Sequence, residues 1–233
     1  MAERPGGGGT SPPPPPAATT PQPPVSLHVS TMIWPKDTTL HRVHLEKYAG
    51  DQFNPGLEGN ARFSPIKNAK GEPIPTLYGG NTFECAAMET VFHDVPFAPG
   101  FKSYDKAKLE DQMHSPLTPG ADLVLADLRS KALRKLGVER KQLIDTEKDR
   151  YPATRQWAEA IYAQYPGVQG LCWTSRQDDS AQAVMLFGDR IAPDVLRQTA
   201  PSRSLLKDVD AYDDVLNLAE QIGVNIVPGK KAL

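Results

Sequence analysis

Six polar residues stand where a chain places chemistry more readily than core: Arg42, Arg62, Tyr78, Glu89, Ser175 and Arg176. Arg62 follows a loop, Tyr78 closes an expected strand and Glu89 lies on the helix after it. Ser175 and Arg176 occupy the tip of an expected hairpin. Residues at such edges line clefts more often than they fill interiors. Together they offer a carboxylate, guanidinium forks that fit an oxyanion, an aromatic ring with a hydroxyl, and a short hydroxyl donor. Other chemistries leave no mark. No GxGxxG, GxxxxGK[ST], GxSxG or HExxH pattern occurs, so the dinucleotide fold, the P-loop, the α/β-hydrolase elbow and the zincins lose their usual signal. Cys85 and Cys172 stand alone, with neither a disulfide framework nor a CxxC knuckle, and a reducing cytoplasm is expected. His41 and His44 lie on one expected strand, where residues three apart face opposite sides, so no metal site is expected.

The elements that must position these residues can be read from periodicity. Residues 32–34 and 39–45 read as strands, 61–64 as a short extended piece and 75–78 as a strand ending at Gly79-Gly80. Asn81 followed by Glu84 resembles a capping box, which predicts a helix from Thr82 to about His93. Its apolar stripe is Phe83, Ala86, Ala87, Thr90 and Val91, and Glu89 falls well outside that stripe, pointing away from the core. Residues 121–128 form a continuous apolar strand, 130–136 a helix stopped by Gly137, and Pro152 opens a longer helix. Residues 171–174 and 183–187 pair as a hairpin. Residues 212–222, capped by Asp208 or Asp210 and stopped by Gly223, form the last helix before a strand at 224–227. Strands and helices mix without βαβ regularity, which makes the class α+β.

Of the 23 prolines in 233 residues, nine fall in the first 24 together with Gly6 to Gly9, so residues 1–24 are expected to be a disordered tail. Residues 25–233 then form one domain. The tail's start has no apolar centre of the secretory type, and export by that route is not expected. A formal net charge of −2 gives no bulk positive field, which disfavours general nucleic-acid binding. No window approaches the roughly 20 apolar residues of a membrane span.

Five short motifs, LHRV at 40–43, NARFS at 60–64, TLYG at 76–79, AAME at 86–89 and GLCWTSR at 170–176, occur in an order and spacing that resembles the RES domain, a family named for its Arg, Glu and Ser. The likeness spans about residues 39–191. Ala61 replaces the family's usual glycine before the arginine, Phe63 is its aromatic, and the stretch 67–75 is longer than typical.

The resemblance implies an ADP-ribosyltransferase-like split mixed sheet with flanking helices, and an enzyme that consumes NAD by phosphorolysis or hydrolysis of the nicotinamide-ribose bond. NAD is then the substrate, with no further cofactor and no metal. Inorganic phosphate is an optional second substrate, and the expected partner is an inhibitory antitoxin or immunity protein. Glu89 would hold the ribose 2′-hydroxyl and face the developing cation. Arg62 would grip the diphosphate, Arg42 or Arg176 an incoming anion, Tyr78 would offer a ring to nicotinamide, and Ser175 would donate to diphosphate or ribose. Two other readings stay open: transfer of ADP-ribose to a protein side chain, and an inactive interaction protein docking through its proline-rich tail. A cytoplasmic toxin and an effector delivered into a target cell also both fit.

Overall fold

Strands apolar on both faces belong inside a covered sheet. The computed structural model, which describes residues 19–229, places them there. In chain order the elements are β1 (Thr31–Trp34), β2 (Leu40–Leu45), β3 (Thr76–Gly80), α1 (Phe83–Thr90), β4 (Lys102–Asp105), β5 (Gln112–Pro119), β6 (Leu123–Asp127), α2 (Ser130–Leu136), α3 (Arg140–Leu143) and α4 (Tyr151–Gln164). They continue with β7 (Gly170–Thr174), β8 (Gln182–Phe187), β9 (Leu196–Gln198), β10 (Arg203–Ser204), α5 (Val209–Gln221) and β11 (Val224–Val227). Among the described residues a nine-stranded mixed sheet runs β1-β6-β7-β8-β3-β2-β5-β10, with β9 also on β5, and β11 pairs separately with β4. The fold is α+β, as expected.

Period two explains the cover on each face. Ala183, Met185 and Phe187 of β8 enter a core with Trp157 of α4, Leu133 of α2 and Trp173 of β7. Val184 and Leu186 turn to the opposite core, with Trp34, Leu77 and Leu125. A third core joins α1 to α5 through Phe83, Ala87, Phe92, Val215 and Leu218.

The sheet is nearly divided. β2 and β3 are antiparallel neighbours but pair only at His41 with Gly80. Farther along, residues 42–45 and 76–79 splay apart. The close approach at the join depends on glycine: a Cβ on Gly79 would stand 2.8 Å from the His41 carbonyl oxygen, and one on Gly80 would stand 2.8 Å from Cys85.

Several local expectations are corrected. The N-cap of α1 is Thr82, whose side chain accepts from the Cys85 N–H at 3.0 Å, while Asn81 accepts from the Gln182 N–H at 2.8 Å and ties the helix start to β8. The helix stops at Thr90, short of His93. Residues 61–64 are irregular, not extended. β5 carries no strand signal in the sequence, because Pro116 and Pro119 argue against a strand interior. Pro116 falls in the gap between β10, which pairs at 113 and 114, and β9, which pairs from 117. A missing N–H is tolerated at that gap.

The expected tail needs a boundary change. Residues 1–18 lie outside the described residues, but 19–24 lie against the body. Thr20 Oγ1 donates to the Gln142 carbonyl at 2.6 Å, Gln142 Nε2 to the Thr19 carbonyl at 3.3 Å, and the indole N–H of Trp157 to the Pro21 carbonyl at 2.8 Å. This stretch gives the Trp157 indole an acceptor, whereas the buried indoles of Trp34 and Trp173 have none among the described residues. A chain starting at Val25 should therefore melt roughly 3–6 °C below one starting at Thr19, because the orphaned N–H costs about 1–3 kcal/mol. Equal melting temperatures in calorimetry would show that the three bonds contribute nothing.

A histidine pair, half-buried His41 and buried His114, crosses from β2 to β5. His41 Nδ1 and His114 Nε2 are 2.9 Å apart and share one proton, and His114 Nδ1 is buried with no partner among the described residues. Burial and the neighbouring His41 and Arg203 hold His114 down at about 3, and burial lowers His41 and His44 as well. Between pH 6.5 and the folded value the unfolded chain binds protons that the folded chain refuses, so stability is full above 6.5 and falls as pH is lowered through that window. Paired carboxylates add their own loss only below about pH 4. We expect the melting temperature to drop by several degrees from pH 7 to pH 4.5, and His114→Gln to flatten that drop. An unchanged slope in the variant would assign the acid lability elsewhere.

Candidate active site

Where β2 and β3 diverge, a cleft of about 350 Å³ opens. β2 contributes Arg42 and His44, β3 contributes Tyr78, α1 contributes Glu89, and the floor includes Trp173 of β7 and Ala183 of β8. Arg62, the stretch after α1 and the loop before α4 complete the wall.

Glu89 occupies the last turn of α1, on the side away from Phe83 and Ala87, which are buried, and it shares the cleft-facing side with Ala86. The expected direction of its side chain, away from the core, leads into the cleft. Its Oε1 accepts from Ser175 Oγ at 2.6 Å and from the Arg176 backbone N–H at 3.2 Å. Among the described residues nothing donates to its Oε2.

Ser175 is fully buried and does not line the cleft. Its hydroxyl oxygen accepts from the N–H groups of Gln177 and Asp178, each at 3.0 Å, so its proton is directed at Glu89. The expected contact from Ser175 to a diphosphate or ribose is thus corrected. A turn that looked like an exposed tip folds back onto α1, and the serine orients the acid.

The three arginines differ in what remains free. Arg62 is buried; its Nη1 donates to the Thr146 hydroxyl at 2.9 Å and carbonyl at 3.2 Å, and its guanidinium lies 5.3 Å from the Tyr151 ring centroid. Arg42 is buried too. Its Nη1 clamps the loop after β2 through the carbonyls of Gly50 and Gln52, both at 2.7 Å, and burial lowers it to about 10. Among the described residues neither has a carboxylate within ion-pair distance, and Nε and Nη2 of both have no acceptor. Arg176 is committed at both ends, with Nη1 on the Thr146 carbonyl at 2.7 Å and Nη2 on Glu147. Of the two arginines offered for an incoming anion, Arg42 retains the open fork.

Tyr78 is half-buried. Its hydroxyl oxygen accepts from the Phe63 N–H at 3.1 Å, its ring meets Trp173 edge to face with centroids 6.2 Å apart, and burial raises its phenol to about 12. It is a fixed neutral wall of the cleft.

Sequence reasoning missed the cleft's remaining polar members. Lys148 pairs with Asp94 at 2.7 Å, His93 Nε2 lies 3.2 Å from Asp94, and Gln177 Nε2 donates to the His93 carbonyl at 3.0 Å. The run TEKDR at 146–150 carries only the signal of a solvated charged loop, and its partners are distant in the chain.

The split mixed sheet thus carries a carboxylate on one lip of the cleft and, in its wall, two buried guanidinium groups with no carboxylate partner among the described residues. The RES domain family model matches residues 39–208, and the chain belongs to this family. Among solved structures it is similar to a chain of the crystal structure of the M. tuberculosis MbcT-MbcA toxin-antitoxin complex. The TM-score is 0.57 at 15% identity, over 79% of this chain and 90% of that one. No curated protein sequence matches.

Proposed function

We propose that the chain is an NAD-consuming toxin that cleaves the nicotinamide-ribose bond. The observation that carries this reading is the Glu89 carboxylate, pinned through Oε1 and presenting Oε2 to the cleft. Nicotinamide leaves as a neutral molecule: the glycosidic C–N bond breaks, its electron pair goes to the ring nitrogen, and a ribosyl oxocarbenium ion develops. No general acid and no metal is required. Glu89 accepts from the 2′-hydroxyl and places negative charge beside the cation. Arg62 forks onto the diphosphate through Nε and Nη2, and the Tyr78 ring faces nicotinamide. The new C–O bond comes from water, which gives its proton to solvent, or from phosphate held by Arg42.

Membership of the family and the likeness to a toxin-antitoxin complex support a protein inhibitor as partner. No helix among the described residues is long and apolar enough to cross a membrane. The likeness to a toxin-antitoxin complex supports a cytoplasmic location, with residues 25–233 as the catalytic domain preceded by the short packed stretch. Purified protein incubated with NAD, with and without phosphate, should yield nicotinamide plus ADP-ribose or its 1″-phosphate by mass spectrometry. Added mass on a protein would point to ADP-ribosyl transfer instead, and intact NAD would overturn the reading.

A further inference from the structure

We infer that Thr146 is a positioning residue for the anion-gripping wall of the cleft, an inference that rests on the reading of that cleft as a diphosphate site. Thr146 lies in the loop between α3 and α4 and is buried. Its carbonyl oxygen receives two guanidinium groups at once, Arg176 at 2.7 Å and Arg62 at 3.2 Å, and its hydroxyl receives Arg62 again at 2.9 Å. Two positive groups therefore converge on one backbone oxygen. Glu147 neutralises only the Arg176 side and is largely exposed.

This convergence has two consequences. Held at Nη1 against Thr146 and along one face by Tyr151, Arg62 lines the cleft with Nε and Nη2 still without an acceptor among the described residues, a fork left for an anion. A fork already fixed loses little rotamer freedom when an anion arrives. The same threonine also steadies Arg176, whose backbone N–H holds Glu89. Glu147 and Lys148 extend the brace to Arg176 and Asp94, so three consecutive residues each anchor to the cleft wall. The hydroxyl of Thr146 acts on Arg62 alone, and its loss should change ligand affinity and leave the chemical step in place.

Thr146→Val keeps the branched shape and removes the hydroxyl. With NAD as substrate, we expect KM to rise about three- to tenfold with kcat within about twofold of wild type, and Thr146→Ser to restore KM. Titration calorimetry with inorganic pyrophosphate, which carries the diphosphate chemistry and no glycosidic bond, should show the same weakening. Thr146→Ala serves in place of the valine variant if melting curves show that the latter does not fold. The assignment is overturned if Thr146→Val matches wild type in KM and in pyrophosphate affinity. It is also overturned if Thr146→Ser is as impaired as Thr146→Val, since shape alone would then matter. Wild-type protein that binds pyrophosphate, weakened by Thr146→Val, yet leaves NAD intact would sustain the role of Thr146 and remove the proposed reaction. No pyrophosphate binding by the wild type removes the role of Thr146.

Discussion

Glu89→Gln is expected to keep the fold and to lose NAD turnover by on the order of a hundredfold or more. The amide preserves the shape of the side chain, and its oxygen still accepts from Ser175 Oγ and the Arg176 N–H, so the position of the group survives. What disappears is the negative charge facing the oxocarbenium ion. Because that charge acts mainly in the transition state, kcat should carry the loss and KM little of it. Turnover within a few-fold of wild type, in protein with a native melting curve, would mean that Glu89 is a well-braced helix residue and nothing more. Ser175→Ala gives the companion result: the acid remains but one of its two anchors is gone, and a smaller loss in kcat is expected.

Arg62→Ala should raise KM for NAD by roughly a hundredfold and Arg62→Lys by roughly tenfold, although lysine keeps the charge. The guanidinium does two things that an ammonium cannot do together: it hangs from Thr146 by one nitrogen and presents two others as a fork. A charged hydrogen bond to a partly desolvated anion contributes about 1.5–3 kcal/mol, which covers this range. Steady-state kinetics over a wide NAD range checks it. If Arg62→Lys matches wild type, the diphosphate grip passes to Arg42, and Arg42→Lys should then show the defect.

Much of the fold was legible because burial on both faces writes itself into sequence. Residues 121–128, 171–174 and 183–187 are nearly unbroken in apolar character, and they became β6, β7 and β8 at the middle of the sheet. β5 was hidden by its prolines, whose tolerance depends on where β9 and β10 begin, a fact of long-range pairing. The site divided along the same line. The direction of Glu89 follows from helix geometry and eight residues of local pattern. The role of Ser175 does not, since turn residues read as exposed until the helix packed against them is known. Thr146 was invisible: its partners Arg62 and Arg176 are 84 and 30 residues away, and a threonine in a charged loop has no periodicity to betray it.

The single pair that joins β2 to β3, His41 with Gly80, leaves the long sheet as two leaves hinged at one corner. Between them the ladder lacks the rungs that neighbouring strands elsewhere share. On the proposed reading, NAD against Tyr78 of one leaf and phosphate held by Arg42 of the other would together bridge the open seam. Occupancy would then stiffen the protein along the line where it is least sewn together. Under the proposed reaction each turnover would undo that stitch, and the chain would be at its loosest when the supply has run out.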